Sequence, residues 1–386
     1  MDDTWPLRAV WPLVVILGPT ASGKSALGIH LAQQLNGEVL ACDSTQVYRY
    51  FDIGTGKLPA AERCGVPHHL IDFVEPEELF TAGDYQRRAR AVLSAVRARG
   101  RLPIVTAGTG LYLRALLEGL SPLPPRSPEL RARLQERAQE RGSRYLHRLL
   151  TRVDPGSAAA IAPRDTPKLI RALEVYFSAP GVPKLRDASG GHQPRAGTSG
   201  GRGARGRRTR SELFAEGRAR LEGYVVVKVG LMPARAELYA RIEERVEKML
   251  AAGWLEETRR LRERFPAYAE ASGGGPATPK PFGFIGYRQL APLCGAALAY
   301  VGPLIPQAHP GRPAGLGIKE AIKQIKHETR QLAKRQITWF RKEPGVKWFA
   351  GFGDEPVVQS GVTEFVREKM GGTLWQTDTA EGHRRG

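Results

Sequence analysis

Residues 18–25 read Gly18-Pro19-Thr20-Ala21-Ser22-Gly23-Lys24-Ser25, a complete G-x-x-x-x-G-K-S phosphate loop. No other feature restricts the fold as much, because such a loop works only between a strand that ends at its first glycine and a helix that starts at its lysine. Both neighbours have the right composition. Leu13-Val14-Val15-Ile16-Leu17 is a β-branched apolar run that reads as a buried strand, and residues 26–35 read as a helix. In that setting the loop's backbone N–H groups converge on phosphate oxygens, with the positive end of the helix dipole behind them. Lys24 supplies a mobile charge for the terminal phosphates, and Ser25 a hydroxyl for Mg²⁺. Gly18, Pro19, Thr20, Ala21, Ser22, Gly23, Lys24 and Ser25 are therefore the candidate residues for binding a polyphosphate or a diphosphate.

The alternation of strand and helix continues to about residue 120. Residues 38–42 form a second apolar run ending at Asp43, residues 69–72 a short third, and residues 102–106 a fourth that leaves through Gly108-Thr109-Gly110. Thr81 and Asp84 have capping-box spacing, with Asp in place of Glu, and open a helix through Tyr85, Leu93 and Val96. Strands separated by helices predict an α/β fold, a P-loop NTPase-like parallel sheet with helices on both faces. Ligands of such sheets sit at the C-terminal ends of the strands. Residues 18–25, 43–46 and 108–110 are therefore expected to meet.

After Ser121 the pattern changes. A Pro-rich break is followed by Arg-rich helical stretches around 128–150 and 165–178, and no strand is evident until residues 224–231. This predicts a mostly helical insertion over 121–222, set between a first core part at 1–120 and a core completion at 223–355 that includes a basic helix. Residues 356–386 read as an uninformative tail. Within the insertion, residues 187–210 are dominated by Gly, Arg and Ser, cannot bury a core and are expected to be disordered. Residues 271–281 and 302–316 read as Gly/Pro-rich loops.

Charge restricts the partner. Lys and Arg number 58 against 39 acids, a formal net charge of +19. Such an excess suggests a polyanion, most commonly nucleic acid, although residues 187–210 carry part of it. In the helix near 318–340, Ile318, Ile322, Ile325, Thr329, Leu332, Gln336 and Trp339 share one stripe. Lys319, Lys323, Lys326, Arg330 and Lys334 form an adjacent ridge, diluted within the helix only by Glu320 and Glu328. A phosphate-backbone contact needs such a ridge; an ordinary solvated face is the other reading. Cys42, Cys64 and Cys294 include no C-x-x-C pair, so neither a disulfide framework nor a structural zinc site is expected. Cys64 with His68 and His69 would form at most part of a metal site. No apolar stretch approaches the roughly 20 residues of a membrane span, and Asp2 and Asp3 stand where an export signal is basic. A cytoplasmic protein with no membrane partner is expected.

Two single residues stand out. Asp43 ends a strand beside the loop, where a carboxylate serves as a general base or holds metal-bound water, or merely caps the next helix. Arg235 opens a helix whose apolar stripe is Leu238, Ile242, Val246 and Met249. A cation there opposes the dipole, which an adjacent anion, or an ion pair with Glu237, would relieve.

At these residues the chain resembles the tRNA dimethylallyltransferase family, also called tRNA isopentenyltransferase. The matching segments are GPTASGKS (18–25), DSTQVYRYFDIGTGK (43–57), AGTGLYLRALLEGLSPLP (107–124), RALEVYF (171–177), GYRQL (286–290) and TRQLAKRQITWFRK (329–342). The resemblance runs from about residue 12 to 350, interrupted by the low-complexity loops, and the ordered set, rather than the phosphate loop alone, is specific. The resemblance implies transfer of the dimethylallyl group from dimethylallyl diphosphate to N6 of the adenine at tRNA position 37, next to the anticodon, with release of diphosphate. It implies tRNA and dimethylallyl diphosphate as partners and Mg²⁺ as cofactor; a monomer is expected. Asp43 matches the family's proposed base, while Thr109 and Arg235, with Lys24 and Ser25, would neutralise the leaving diphosphate. The adenine must leave its stack to react. Positions matching tRNA contacts are Asp43, Ser44, Thr45, Gln46, Thr109, Arg131, Pro167, Lys168, Leu169, Ile170, Arg171, Gly283, Phe284, Ile285, Gly286, Tyr287 and Arg288.

The chain departs from the family at Ala107, where a glycine is usual, and at Lys168, where an Arg is commoner and would pair bidentately with phosphate. The 187–210 stretch is longer than bacterial relatives need, and the zinc module often carried by eukaryotic members is not seen after the core. A free-nucleotide isopentenyltransferase, a small-metabolite kinase and a non-catalytic RNA-binding NTPase share the loop. The first has no use for the insertion and the basic helix, the second none for the DSTQVY and RQLAKRQITWF segments, and the third none for Asp43 and Arg235.

Overall fold

The structure is a computed structural model that describes residues 10–121, 123–178, 209–215, 218–266, 280–294 and 317–371. Its centre is one six-stranded sheet in the order β3-β2-β4-β1-β5-β6. The strands are β1 (Trp11–Leu17), β2 (Gly37–Cys42), β3 (His68–His69), β4 (Leu102–Ala107), β5 (Tyr224–Leu231) and β6 (Val346–Phe349), and every pairing is parallel. Leu13 to Leu17 of β1 are fully buried, as a central strand covered on both faces must be. Alternate residues serve opposite layers. Leu13, Val15 and Leu17 pack with Tyr85, Leu93 and Val96, whereas Val14 and Ile16 pack with Leu27 and Leu31.

Register brings the three strand ends level. Leu17 of β1 and Cys42 of β2 both pair with Ala107 of β4. The residues that follow, Gly18, Asp43 and Gly108, therefore leave the sheet at one edge. This juxtaposition, expected from the alternation alone, is set by backbone pairing.

The sheet also differs from the sequence reading. β3 has two residues rather than the expected 69–72, because Leu70 (φ 63°) and Asp72 (φ 60°) adopt left-handed backbone that no strand continues. β6 and the helix Pro356–Met370 were not foreseen, and the helix corrects the reading of that stretch as a tail. Its Val358, Val362 and Val366 recur every four residues and are buried against β5 and the helix Lys24–Gln34. His68 and His69 turn away from any site with Cys64: His68 Nδ1 meets Val66 O at 2.8 Å, and His69 Nε2 meets Glu38 Oε2 at 2.6 Å. No group of three or more metal-ligating side chains occurs among the described residues, and no helix there is long and apolar enough to cross a membrane.

Contacts divide the chain into one unit of Met1–Leu117 with Leu221–Gly386 and a second of Glu118–Arg220. The sequence reading put these boundaries at 121 and 222. The helical stretch expected around 128–150 is two helices, Pro128–Arg141 and Ser143–Val153, parted at Gly142 (φ 76°). Together with Thr166–Phe177 they close over Leu134, Leu146, Leu150, Leu169 and Leu173. Glu174 is buried and accepts from Ser127 N (2.7 Å), Arg131 Nη1 (3.0 Å) and Arg171 Nη1 (2.8 Å). Burial without those partners would be costly, so both guanidinium groups are part of this unit's architecture. Most of 187–210, 271–281 and 302–316 and all of 372–386 lie outside the described residues.

Candidate active site

The loop after β1 runs into a helix as the sequence predicts, although the helix spans Lys24–Gln34 and so starts two residues before the expected 26. Lys24 Nζ donates to the carbonyls of Gly18 (3.0 Å) and Pro19 (2.7 Å). Burial lowers its ammonium to about 8, opposed by the Asp43 carboxylate and reinforced by the Arg245 cation. The Ser22 hydroxyl is buried with no hydrogen-bond partner, an orphan aimed within the cradle itself. From outside, Gly353 N donates to Ser22 O at 2.9 Å, and Arg241 holds the neighbouring Asp354 through both oxygens.

Asp43 faces this cradle across a cavity of about 390 Å³, whose lining includes Thr20, Lys24, Ser25, Asp43, Gly108 and Arg245. Its Oδ1 accepts from Thr45 N (2.8 Å) and Thr45 Oγ1 (2.6 Å). Its Oδ2 lies against the Gly108 turn, where a Cβ on Gly108 would come within 2.5 Å of it. That turn is fixed by two bonds of 3.0 Å, from Gly108 N and Thr109 N to Cys42 O. The Thr109 hydroxyl accepts from Ser44 N at 2.9 Å and so supports the Asp43 segment. Gln46 donates to the carbonyls of Thr55 (3.3 Å) and Gly56 (3.1 Å).

Two side chains that the sequence reading did not assign to the site complete the polar end. Arg245 is almost wholly buried and donates to Thr20 Oγ1 at 3.1 Å; burial lowers its pKa, Asp43 opposes that shift and Arg241 adds to it. Gln336, read from its periodicity as part of an apolar stripe, instead accepts from Thr20 N and donates to Gly108 O, each at 2.8 Å. Arg235, expected here, is exposed. Its Nε donates to the Tyr239 hydroxyl at 3.1 Å and it is not among the residues lining the cavity. Arg245 lies nearly three turns further along the same helix than Arg235, and of the two only Arg245 lines the cavity.

The lining also includes the apolar side chains of Val246, Met249, Trp254, Phe284 and Leu332. Glu257 shapes it by accepting from Ile53 N (2.8 Å), from Gly54 N (3.4 Å) and from the Tyr287 hydroxyl (2.5 Å). The Trp254 ring sits between Gly54 and Gly286, so close that a Cβ on either glycine would overlap it. Gly286 also has φ 92°, in left-handed backbone. Gly286→Ala is therefore expected to destabilise this unit by about 3 kcal/mol through overlap and strain together, read as a fall in midpoint on chemical unfolding.

The positions matched to tRNA contacts separate by environment. Ser44, Thr45, Gln46, Gly283, Phe284 and Ile285 line the cavity with Asp43. Tyr287, Leu169 and Ile170 are buried in the unit each belongs to. Arg131 and Arg171 are engaged by Glu174, whereas Pro167 and Lys168 are exposed, the latter paired with Asp165 at 2.5 Å. Arg288 pairs with Glu328. The ridge of the helix Ile318–Phe340 is less cationic than its own sequence implied. The facing helix Arg235–Ala251 supplies Glu247 to Lys326 (2.6 Å) and Glu243 to Arg330, while Lys319, Lys323 and Lys334 stay exposed.

Comparison with known proteins adds an independent line. The IPP transferase family profile matches residues 46–343. The tRNA dimethylallyltransferase of Solibacter usitatus is 42% identical over 93% of this chain and 99% of its own length. That of Koribacter versatilis is 41% identical over 92% and 98%. Among solved structures, the full-length tRNA isopentenylpyrophosphate transferase of Bacillus halodurans is similar with a TM-score of 0.57 and 31% identity, over 93% of this chain and 96% of that one.

Proposed function

This chain belongs to the IPP transferase family, as a transferase that prenylates adenine in tRNA, and we propose that the donor is dimethylallyl diphosphate and the acceptor N6 of the adenine at position 37, next to the anticodon. The observation that supports this assignment most is the shared cavity: a phosphate loop with its lysine at one wall, and the Asp43 carboxylate at another. The kinase and free-nucleotide readings lose their footing, because the tRNA enzymes named above match over nearly the whole chain.

In this reading the diphosphate lies on the loop, drawing Lys24 Nζ from the Gly18 and Pro19 carbonyls. Lys24 and Arg245 then face the charge that develops as the bond between the donor's first carbon and the diphosphate oxygen breaks. The exocyclic amine is a poor nucleophile because its lone pair is delocalised into the ring. Asp43 accepts the N6 proton as the new carbon–nitrogen bond forms. Thr109 holds the backbone of the Asp43 segment through Ser44 N. Val246, Met249 and Trp254 give the prenyl carbons an apolar wall. Arg235 is left to the exterior in this arrangement, and Arg245 takes the second cationic role.

Mg²⁺ belongs to the proposal. The donor set suits a hard ion, since the Ser25 hydroxyl lines the cavity beside Lys24 and the remaining ligands would be phosphate and water oxygens. Bound there, the ion would add charge neutralisation on the leaving diphosphate. The extruded adenine would enter past Gln46 and residues 283–285, and the enzyme would work where tRNA is processed, in the cytoplasm. The test is direct. Incubated with Mg²⁺, dimethylallyl diphosphate and either unmodified tRNA or AMP, the protein is expected to yield prenylated adenosine from tRNA digests by mass spectrometry. Prenylation of AMP but not of tRNA would refute the reading.

A further inference from the structure

Gln336 touches both halves of the cavity at once. Its Oε1 accepts from Thr20 N in the phosphate loop, and its Nε2 donates to Gly108 O in the turn that abuts Asp43, each at 2.8 Å. The orientation of this amide is dictated by its partners, since a backbone N–H can only donate and a carbonyl can only accept. Sequence separations of 316 and 228 residues make it a long-range tie, not a local turn. Thr20 is gripped a second time, through its hydroxyl, by Arg245. The helices carrying Gln336 and Arg245 are joined to each other by the Lys326–Glu247 and Arg330–Glu243 pairs. The cradle is thus set from the C-terminal half of the unit, and Gln336 extends that support by hydrogen bond to the turn beside Asp43, where Trp339 of the same helix also packs against Gly110.

We propose that Gln336 is a positioning residue, whose amide fixes the spacing between the diphosphate cradle and the Asp43 turn. The proposal rests on the transfer reaction inferred above. That reaction needs the donor carbon, held by its diphosphate, to meet the amine whose proton Asp43 accepts. Misplacement of about 1 Å between such groups costs on the order of 100-fold in rate. Gln336 acts through Thr20 and Gly108, and its effect falls on the rate of the bound complex more than on binding.

Gln336→Glu separates this role from mere packing. The ionised carboxylate still accepts from Thr20 N but has nothing to donate to Gly108 O, and repels it. When protonated it offers one O–H and one C=O, the same donor–acceptor pair as the amide. A carboxyl that faces a carbonyl away from bulk water titrates above its ordinary range. Of the charged groups in the same lining, Asp43 adds to that shift, while Lys24 and Arg245 oppose it. Single-turnover transfer with saturating dimethylallyl diphosphate and tRNA is therefore expected to be about 100-fold slower than wild type near pH 8 and to recover to within about 3-fold near pH 5.5. The donor KM is expected to change by less than about 3-fold. Gln336→Leu, with no polar atoms, is expected to stay slow at both values. Circular dichroism on the Glu variant at each pH shows that one folded protein is being compared, so the result stands even where the Leu variant does not fold. A variant-to-wild-type ratio that is flat with pH overturns the proposal while leaving the transfer reaction intact. A wild type that prenylates no tRNA overturns both.

Discussion

Asp43→Asn is expected to slow prenyl transfer by about 10³-fold while leaving donor affinity nearly unchanged. The substitution keeps shape and most of the local bonding. An asparagine oxygen can still accept from Thr45 N and Thr45 Oγ1, so the turn into residues 44–46 should hold. What disappears is a group that can take a proton from N6. The phosphate loop, Lys24 and Arg245 are untouched, so binding of dimethylallyl diphosphate should survive. Single-turnover rates with bound tRNA, set beside donor binding by calorimetry, separate the two effects. Full activity would remove Asp43 from the chemistry. A parallel loss of donor binding would instead make it part of the cradle.

Asp43 could be singled out without a structure because its signal is local: a strand that ends on a carboxylate, next to a strand that ends on a phosphate loop. The same holds for the capping box of Thr81 and Asp84, which forms as expected, and for the central strands, whose β-branched runs leave little choice in a sheet covered on both faces. The failures share a different cause. Gln336 lies on the inward stripe of its helix, and a helical projection reports which way a residue points but not what it meets; its partners stand 316 and 228 residues away. The lysine ridge was weighed against acids of its own helix, whereas Glu243 and Glu247 come from another. Arg235 stands out in the sequence because a cation at a helix start is conspicuous, while Arg245, in mid-helix, looks like any solvated arginine. Leu169, Ile170 and Leu173 share a core-facing spacing that the sequence shows, and all three are buried. The valines of Pro356–Met370 were equally readable and were overlooked among charged neighbours.

Lys24→Met is expected to lower kcat/KM for the donor by about 10³-fold, with most of the loss in binding and leaving-group stabilisation rather than in folding. Methionine keeps the unbranched stem but removes the only mobile cation on the loop. The wild-type ammonium sits at about 8, which gives the effect a pH signature. A phosphate's second ionisation lies near about pH 6, so between pH 7 and pH 9 the donor's charge changes far less than the lysine's. Below about 8 the unliganded protein presents an ammonium to the diphosphate; as pH rises through that value the proton is lost and affinity falls. The unliganded fold slopes the other way. Between about 8 and the ordinary 10.5, the unfolded chain keeps a proton on Lys24 that the folded chain has released, so this group's contribution to stability rises with pH across that window. Lys24→Met should abolish both slopes. Donor titrations of the two proteins from pH 7 to pH 9 decide the matter: a fall in affinity that persists in the methionine variant would assign the pH dependence to another group.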